Sequence, residues 1–188
     1  SRTILITSIL SLFVFQQCGN PPIPRPKGHF RIELPSESFK KSTVDCGLDL
    51  ENPDYSFVEN VKNEKSGNSC WFNLRFPQFK ARLHCTQVEI ANNLVDLMND
   101  AQDMVFSHEM KSNGISRIRI SEDEVNGVLY HLDGPVATPI QFFVTDSTDH
   151  FLRGSLYFDH IPNADSTAPV VRRLLGDIEH LMRTVSWE

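Results

Sequence analysis

The sequence predicts an α+β fold, an antiparallel β-sheet with helices packed on it, and three observations carry that expectation. Strand-like runs rich in β-branched and aromatic residues dominate the chain. Several alternate apolar with polar residues, as in Phe72-Asn73-Leu74-Arg75-Phe76 and Arg117-Ile118-Arg119-Ile120. Such alternation leaves one face buried and the other solvated, which suits antiparallel pairing. The elements also run in the order strands, helix, four strands, helix. A doubly wound parallel fold would alternate strand and helix throughout, so that class is excluded.

Composition agrees with a globular body. The chain has 188 residues, of which 40% are apolar and 22% charged. At that length a folded chain buries about 70% of the surface it exposes when unfolded, enough for a core without metal. Eighteen Lys and Arg stand against 24 Asp and Glu, for a net charge of -6. The basic residues are interspersed with acids, as in Arg117, Arg119, Glu122 and Glu124, so no basic stripe exists to meet a phosphate backbone and nucleic acid is not an expected partner.

The first element in chain order is a leader. Residues 3–15 are almost wholly apolar and uncharged, the length of a signal h-region and short of the ~20 residues that span a bilayer. Cys18 stands directly after this run, where bacterial lipoproteins carry their acylated cysteine, although Gln17 occupies a position where such signals place a small residue. A lipoprotein signal over residues 1–17 is the reading adopted. A plain secretory signal and an N-terminal helix kept in the fold are its alternatives. Two or three palmitate-type chains on Cys18 would anchor the protein stably. Residues 18–28 follow as a tether holding four of the eleven prolines. Extended polyproline II at ~3.1 Å per residue makes this a stalk of about 30 Å, or else an unstructured leader. Residues 29–188 are expected to form a single globular periplasmic domain.

Within that body, strands are expected over residues 30–34, 55–58, 71–76, 80–88, 116–120, 127–132, 140–145 and 152–158. A first helix is signalled by Ile90, Leu94, Leu97, Met98, Ala101, Met104, Val105 and His108, spaced by threes and fours and stopped by Asn113-Gly114. A second begins at Asp165-Ser166-Thr167-Ala168-Pro169, a capping side chain followed by proline, and buries Val171, Leu174, Leu175, Ile178, Leu181, Met182 and Val185. Both stripes are read as core. Cys46 and Cys70 flank a polar, loop-like stretch, and their pairing in an oxidising compartment would contribute about 3 kcal/mol. Cys85 sits in a strand-like run and is expected to be buried and free.

Chemistry-bearing residues concentrate in Thr145-Asp146-Ser147-Thr148-Asp149-His150-Phe151-Leu152-Arg153, between two apolar strands. Asp146 and Ser147 suit a turn that bonds its own amides. With Asp165 and Ser166 at the following helix start, Thr145, Asp146, Ser147, His150 and Arg153 form a candidate interaction surface. Arg153 is expected to pair with Asp146 or Asp165. The same residues serve equally as bracing or as a docking patch. An envelope serine hydrolase using Ser147 and His150 is the alternative, weakened because no G-x-S-x-G elbow is present. No zinc-type spacing, carboxylate triad or Gly-rich phosphate loop occurs, so no metal and no cofactor is expected. A lipid or small-ligand pocket between sheet and helix is a further alternative.

These residues carry a resemblance. Residues 145–158, then Pro162-Asn163, Asp165-Ser166, Pro169-Val170 and Asp177-Ile178 with His180-Leu181, resemble the C-terminal signature of the gliding motility lipoprotein GldD family of the Bacteroidota. Cys70-Trp71-Phe72-Asn73-Leu74, Phe76-Pro77, Asn93-Leu94 and Pro26-Lys27-Gly28 resemble it too. The resemblance implies a non-enzymatic accessory lipoprotein of the gliding and type IX secretion machinery. Its expected partners are other envelope proteins of that machinery, and it would sit in the membrane through its anchor and face the periplasm. The element order is also similar to PsbP-like domains, an α/β/α sandwich around an antiparallel sheet.

Overall fold

The computed structural model describes residues 33–61, 69–122, 124–160 and 164–187. The expected signal, Cys18 and the tether lie outside the described residues. Among those described, the elements are β1 (Phe39–Val44), β2 (Leu48–Pro53), β3 (Phe57–Val61), β4 (Ser69–Phe76), β5 (Ala81–Glu89), α1 (Leu94–Phe106), β6 (Gly114–Ser121), β7 (Asn126–Asp133), β8 (Ile140–Thr145), β9 (His150–Phe158), α2 (Ala164–Thr184) and β10 (Ser186–Trp187). Seven strands pair antiparallel in the order β3-β4-β5-β9-β8-β7-β6, and β1-β2-β10 form a second sheet. The α+β class, an antiparallel sheet with helices on it, is what the chain adopts.

The period-two pattern sets the two faces. In β4, Phe72, Leu74 and Phe76 are buried while Trp71 and Arg75 are exposed, and the register Phe72↔Cys85 and Leu74↔Leu83 carries the apolar face across to β5. Strand β8 is buried at every position. Its Phe142 and Val144 join the cluster containing Leu174, Ile178 and Met182 of α2, while Phe143 joins the one containing Ala101 and Val105 of α1. Helices therefore cover both faces of the large sheet.

Three local expectations are corrected. Residues 33 and 34 are not strand, and the first strand starts at Phe39. Helix α1 starts at Leu94 rather than Ile90, because the chain turns first and Asn92 holds a left-handed φ of 59° that a helix cannot contain, and it ends at Phe106, short of His108 and the Asn113-Gly114 stop. The stretch between Cys46 and Cys70, expected to be loop-like, contains β2 and β3. Cys46, in the β1–β2 turn, is disulfide-bonded to Cys70 of β4 with a Cα–Cα distance of 6.1 Å, so the bond ties the small sheet to the large one. Cys85 is a buried free thiol, and burial pushes its pKa up.

One polar network is buried with the core. Asp177 of α2 is 3% exposed; its Oδ2 accepts from the Tyr55 hydroxyl and from Arg173 Nε at 3.1 Å. Arg173 also reaches Glu37 Oε1 at 3.0 Å and the Ser36 carbonyl at 3.2 Å. The network fastens the segment before β1 and the β2–β3 turn to α2. Burial raises the Asp177 pKa, and burial with the Asp177 carboxylate raises that of Tyr55.

Candidate functional site

The β8–β9 hairpin is built by its own side chains. Thr145 Oγ1 accepts from the Ser147 amide at 2.9 Å and donates to the His150 carbonyl at 2.6 Å. Asp146 Oδ1 accepts from three successive amides, Thr148 at 3.0 Å and Asp149 and His150 at 2.9 Å each. That capture bends the chain tightly enough to hold Ser147 at a left-handed φ of 70°. The turn is also pinned from outside, since the Ile90 amide donates to the Asp149 carbonyl at 2.8 Å.

Asp146 Oδ2 faces His150 Nδ1 at 2.6 Å, and the His150 ring lies flat on Trp187, centroids 5.4 Å apart and planes 5° from parallel. Trp187 belongs to β10, whose partner is β2. The small sheet thus reaches the hairpin through one stacked ring. Partial burial works against the Asp146 charge, but hydrogen bonds from His150, Thr148 and Asp149 outweigh it and bring the carboxyl down to about 2. A shallow cavity of about 340 Å³ opens here, lined by Glu124, Asp146, Thr148, His150, Ser186 and Trp187. Ser147, Thr148 and Asp149 stand exposed at its rim.

The arrangement orients an imidazole. Asp146 takes one ring nitrogen and Trp187 covers one ring face. Among the described residues, no hydrogen bond joins the Ser147 hydroxyl to His150. A serine hydrolase depends on that contact. No cluster of three or more His, Cys, Asp or Glu side chains able to hold a metal occurs among the described residues. Nor is any described helix long and apolar enough to cross a membrane.

The predicted surface divides into three places. Thr145, Asp146, Ser147 and His150 come together in the hairpin. Arg153 lies three residues beyond His150 on a strand and so emerges on the opposite face of the sheet, where its Nη1 contacts the Met104 sulfur of α1. It forms no ion pair with Asp146 or Asp165 among the described residues, contrary to the expected pairing. Asp165 and Ser166 stand at the start of α2. Residues of that first turn, Ala164 and Thr167, share a cavity with Phe158 at the far end of β9, whereas His150 opens the strand. Nine strand residues at ~3.3 Å each put the two ends about 26 Å apart. Sequence reasoning missed Trp187, whose contact depends on a strand of only two residues.

Among known families, the model described as gliding motility lipoprotein GldD matches residues 19–187. No curated protein matches the chain.

Proposed function

Because this chain belongs to the gliding motility lipoprotein GldD family, we propose that it is a lipid-anchored accessory protein of the gliding motility and type IX secretion machinery that works by contact with other envelope proteins. Membership in the family places it in gliding motility and at a lipid-anchored envelope location. The finer reading has Cys18 acylated, residues 18–28 as the tether, and residues 29–188 as a single domain facing the periplasm with no reaction of its own. The Cys46–Cys70 bond supports an oxidising compartment.

The observation that carries a contact role is the braced hairpin. Four hydrogen bonds to one carboxylate and a ring stacked across two sheets fix the turn before any partner arrives. A surface ordered in advance loses less entropy on docking. What it offers outward is a short polar ridge, Ser147, Thr148 and Asp149. Bracing and docking are then one device, with Asp146 and His150 inside and the ridge outside.

The test is complementation of a deletion strain. Thr148→Arg, which changes only the outward ridge, is expected to abolish colony spreading while the protein accumulates folded and membrane-bound. A photo-crosslinker at Ser147 is expected to capture an envelope protein whose own loss also abolishes spreading. Full spreading by Thr148→Arg together with absence of any such crosslink would end the proposal.

A further inference from the structure

On the large sheet's face opposite α2, α1 packs over Tyr130, Phe143 and Phe151 of β7, β8 and β9 and, among the described residues, leaves the neighbouring strands open. A cleft of about 740 Å³ results, walled by Leu97, Asp100 and Met104 of α1 and floored by β4, β5 and β9. Registers arrange its floor as a grid. One row is Trp71, Thr86 and Arg153; the next is Asn73, His84 and Ser155; the last ends in Tyr157. Trp71 and Tyr157 stand at opposite corners and are 44% and 40% exposed. His84 is at the centre, its Nδ1 donating to Asn73 Oδ1 at 2.8 Å and its ring meeting Tyr157 edge-on at 5.6 Å.

The chemistry of this lining excludes three classes of ligand. An acyl chain would seal the Asn73 amide NH2, His84 Nε2 and the Thr86 hydroxyl against hydrocarbon, and among the described residues these atoms have no protein partner to offset the lost water. A phosphate-rich or acidic polymer needs a cationic lining, but Arg153 is offset by Asp100, and burial with the nearby Arg82 charge lowers the pKa of His84. A peptide strand cannot add to the floor, because β4, β5 and β9 are already paired on both sides. What remains is a neutral molecule with apolar faces and many hydroxyls. In a chain of net charge -6, a lining whose formal charges cancel matches such a ligand.

We propose that the cleft between α1 and the open face of β4, β5 and β9 binds a neutral saccharide chain. The weakly positive C–H faces of two sugar rings stack on the electron-rich faces of Trp71 and Tyr157. Between them, sugar hydroxyls exchange hydrogen bonds with Asn73, His84, Ser155 and Arg153. A few placed polar groups among apolar walls are the usual make-up of a selective ligand site. This site is on a different surface from the hairpin and stands whether or not the hairpin docks a partner.

Calorimetric titration of the detergent-solubilised full chain with chitotetraose, cellotetraose and maltotetraose tests it. Saturable binding of at least one is expected. Trp71→Ala and Tyr157→Ala should each weaken it about tenfold or more, and Asn73→Ala should weaken it as well. Met110→Ala, at a fully exposed residue outside the cleft, should leave it unchanged. Thermal melts of all four variants establish that they are folded. The proposal is overturned if none of the three saccharides binds, or if binding survives loss of both rings. It is equally overturned if oleate or polyglutamate, and no saccharide, binds in a manner lost with Trp71.

Discussion

Replacing Asp146 by Ala removes the acceptor for four hydrogen bonds at once. Oδ1 takes three amides at 2.9 to 3.0 Å and Oδ2 takes His150 Nδ1 at 2.6 Å. At a net ~0.5–1.5 kcal/mol each, and with the turn amides able to recover water, the loss comes to about 2–3 kcal/mol. For a domain of this size that is a fall of about 4–12 °C in Tm. Urea unfolding gives the free energy directly, and Asp146→Asn, which keeps Oδ1, should lose only about half as much. Acid titration supplies the second arm. The carboxyl titrates near 2 when folded against an ordinary 3.8, so the unfolded chain takes up its proton first. The wild type therefore holds this stabilisation in full above about pH 5 and loses it as pH falls through 3.8 towards 2. The full shift corresponds to about 2 kcal/mol, which solvent screening at a partly open turn reduces to about 1 kcal/mol. Asp146→Ala lacks this component of the acid loss. A cost below about 0.5 kcal/mol, or an unchanged pH profile, would refute the bracing argument.

Tyr55→Phe removes a hydroxyl that donates to the buried Asp177 and leaves that carboxylate, among the described residues, with Arg173; urea unfolding should show a loss of about 1–3 kcal/mol, and a neutral effect would mean that the hydroxyl's bond contributes nothing. Gly127→Ala places a Cβ 2.4 Å from the Phe143 carbonyl oxygen inside a paired strand, where backbone must move, so a loss of about 2 kcal/mol or more is expected in the same assay. Reduction of Cys46–Cys70 should lower stability by about 3 kcal/mol. In the oxidised protein Cys85 should resist a thiol reagent until urea unfolds the chain, and rapid labelling under native conditions would contradict its burial.

The strands after α1 were legible because each is a short run rich in β-branched and aromatic residues bounded by turn residues, with clean alternation in β6 and a continuous apolar run in β8, so β6 to β9 fall within a few residues of expectation. Strands β1 and β2 were not, because Phe39–Val44 is half exposed and Leu48–Pro53 ends in Asn and Pro, leaving weak apolar alternation in either. They pair as a local hairpin whose turn is closed by the Gly47 amide donating to the Val44 carbonyl at 3.1 Å, while the hairpin's place on the body is held by α2 and the disulfide to β4, which are distant in sequence. The hairpin's self-bonding was readable from Asp146 and Ser147 because that chemistry is local. Arg153 was misplaced although its odd separation from His150 already put the two side chains on opposite faces. The same parity carries Trp71 outward once Phe72, Leu74 and Phe76 are inside. No local pattern announces Trp187 on His150, since that contact joins elements brought together only by the fold.

The proposed contact role rests on one physical requirement, that the body is held at a membrane by a lipid on Cys18. Mass spectrometry of the N-terminal peptide from the membrane fraction tests this most directly. The account predicts a mature chain that begins at Cys18 and carries acyl chains. An unmodified Cys18 still joined to residues 1–17, recovered from the soluble fraction, would contradict it.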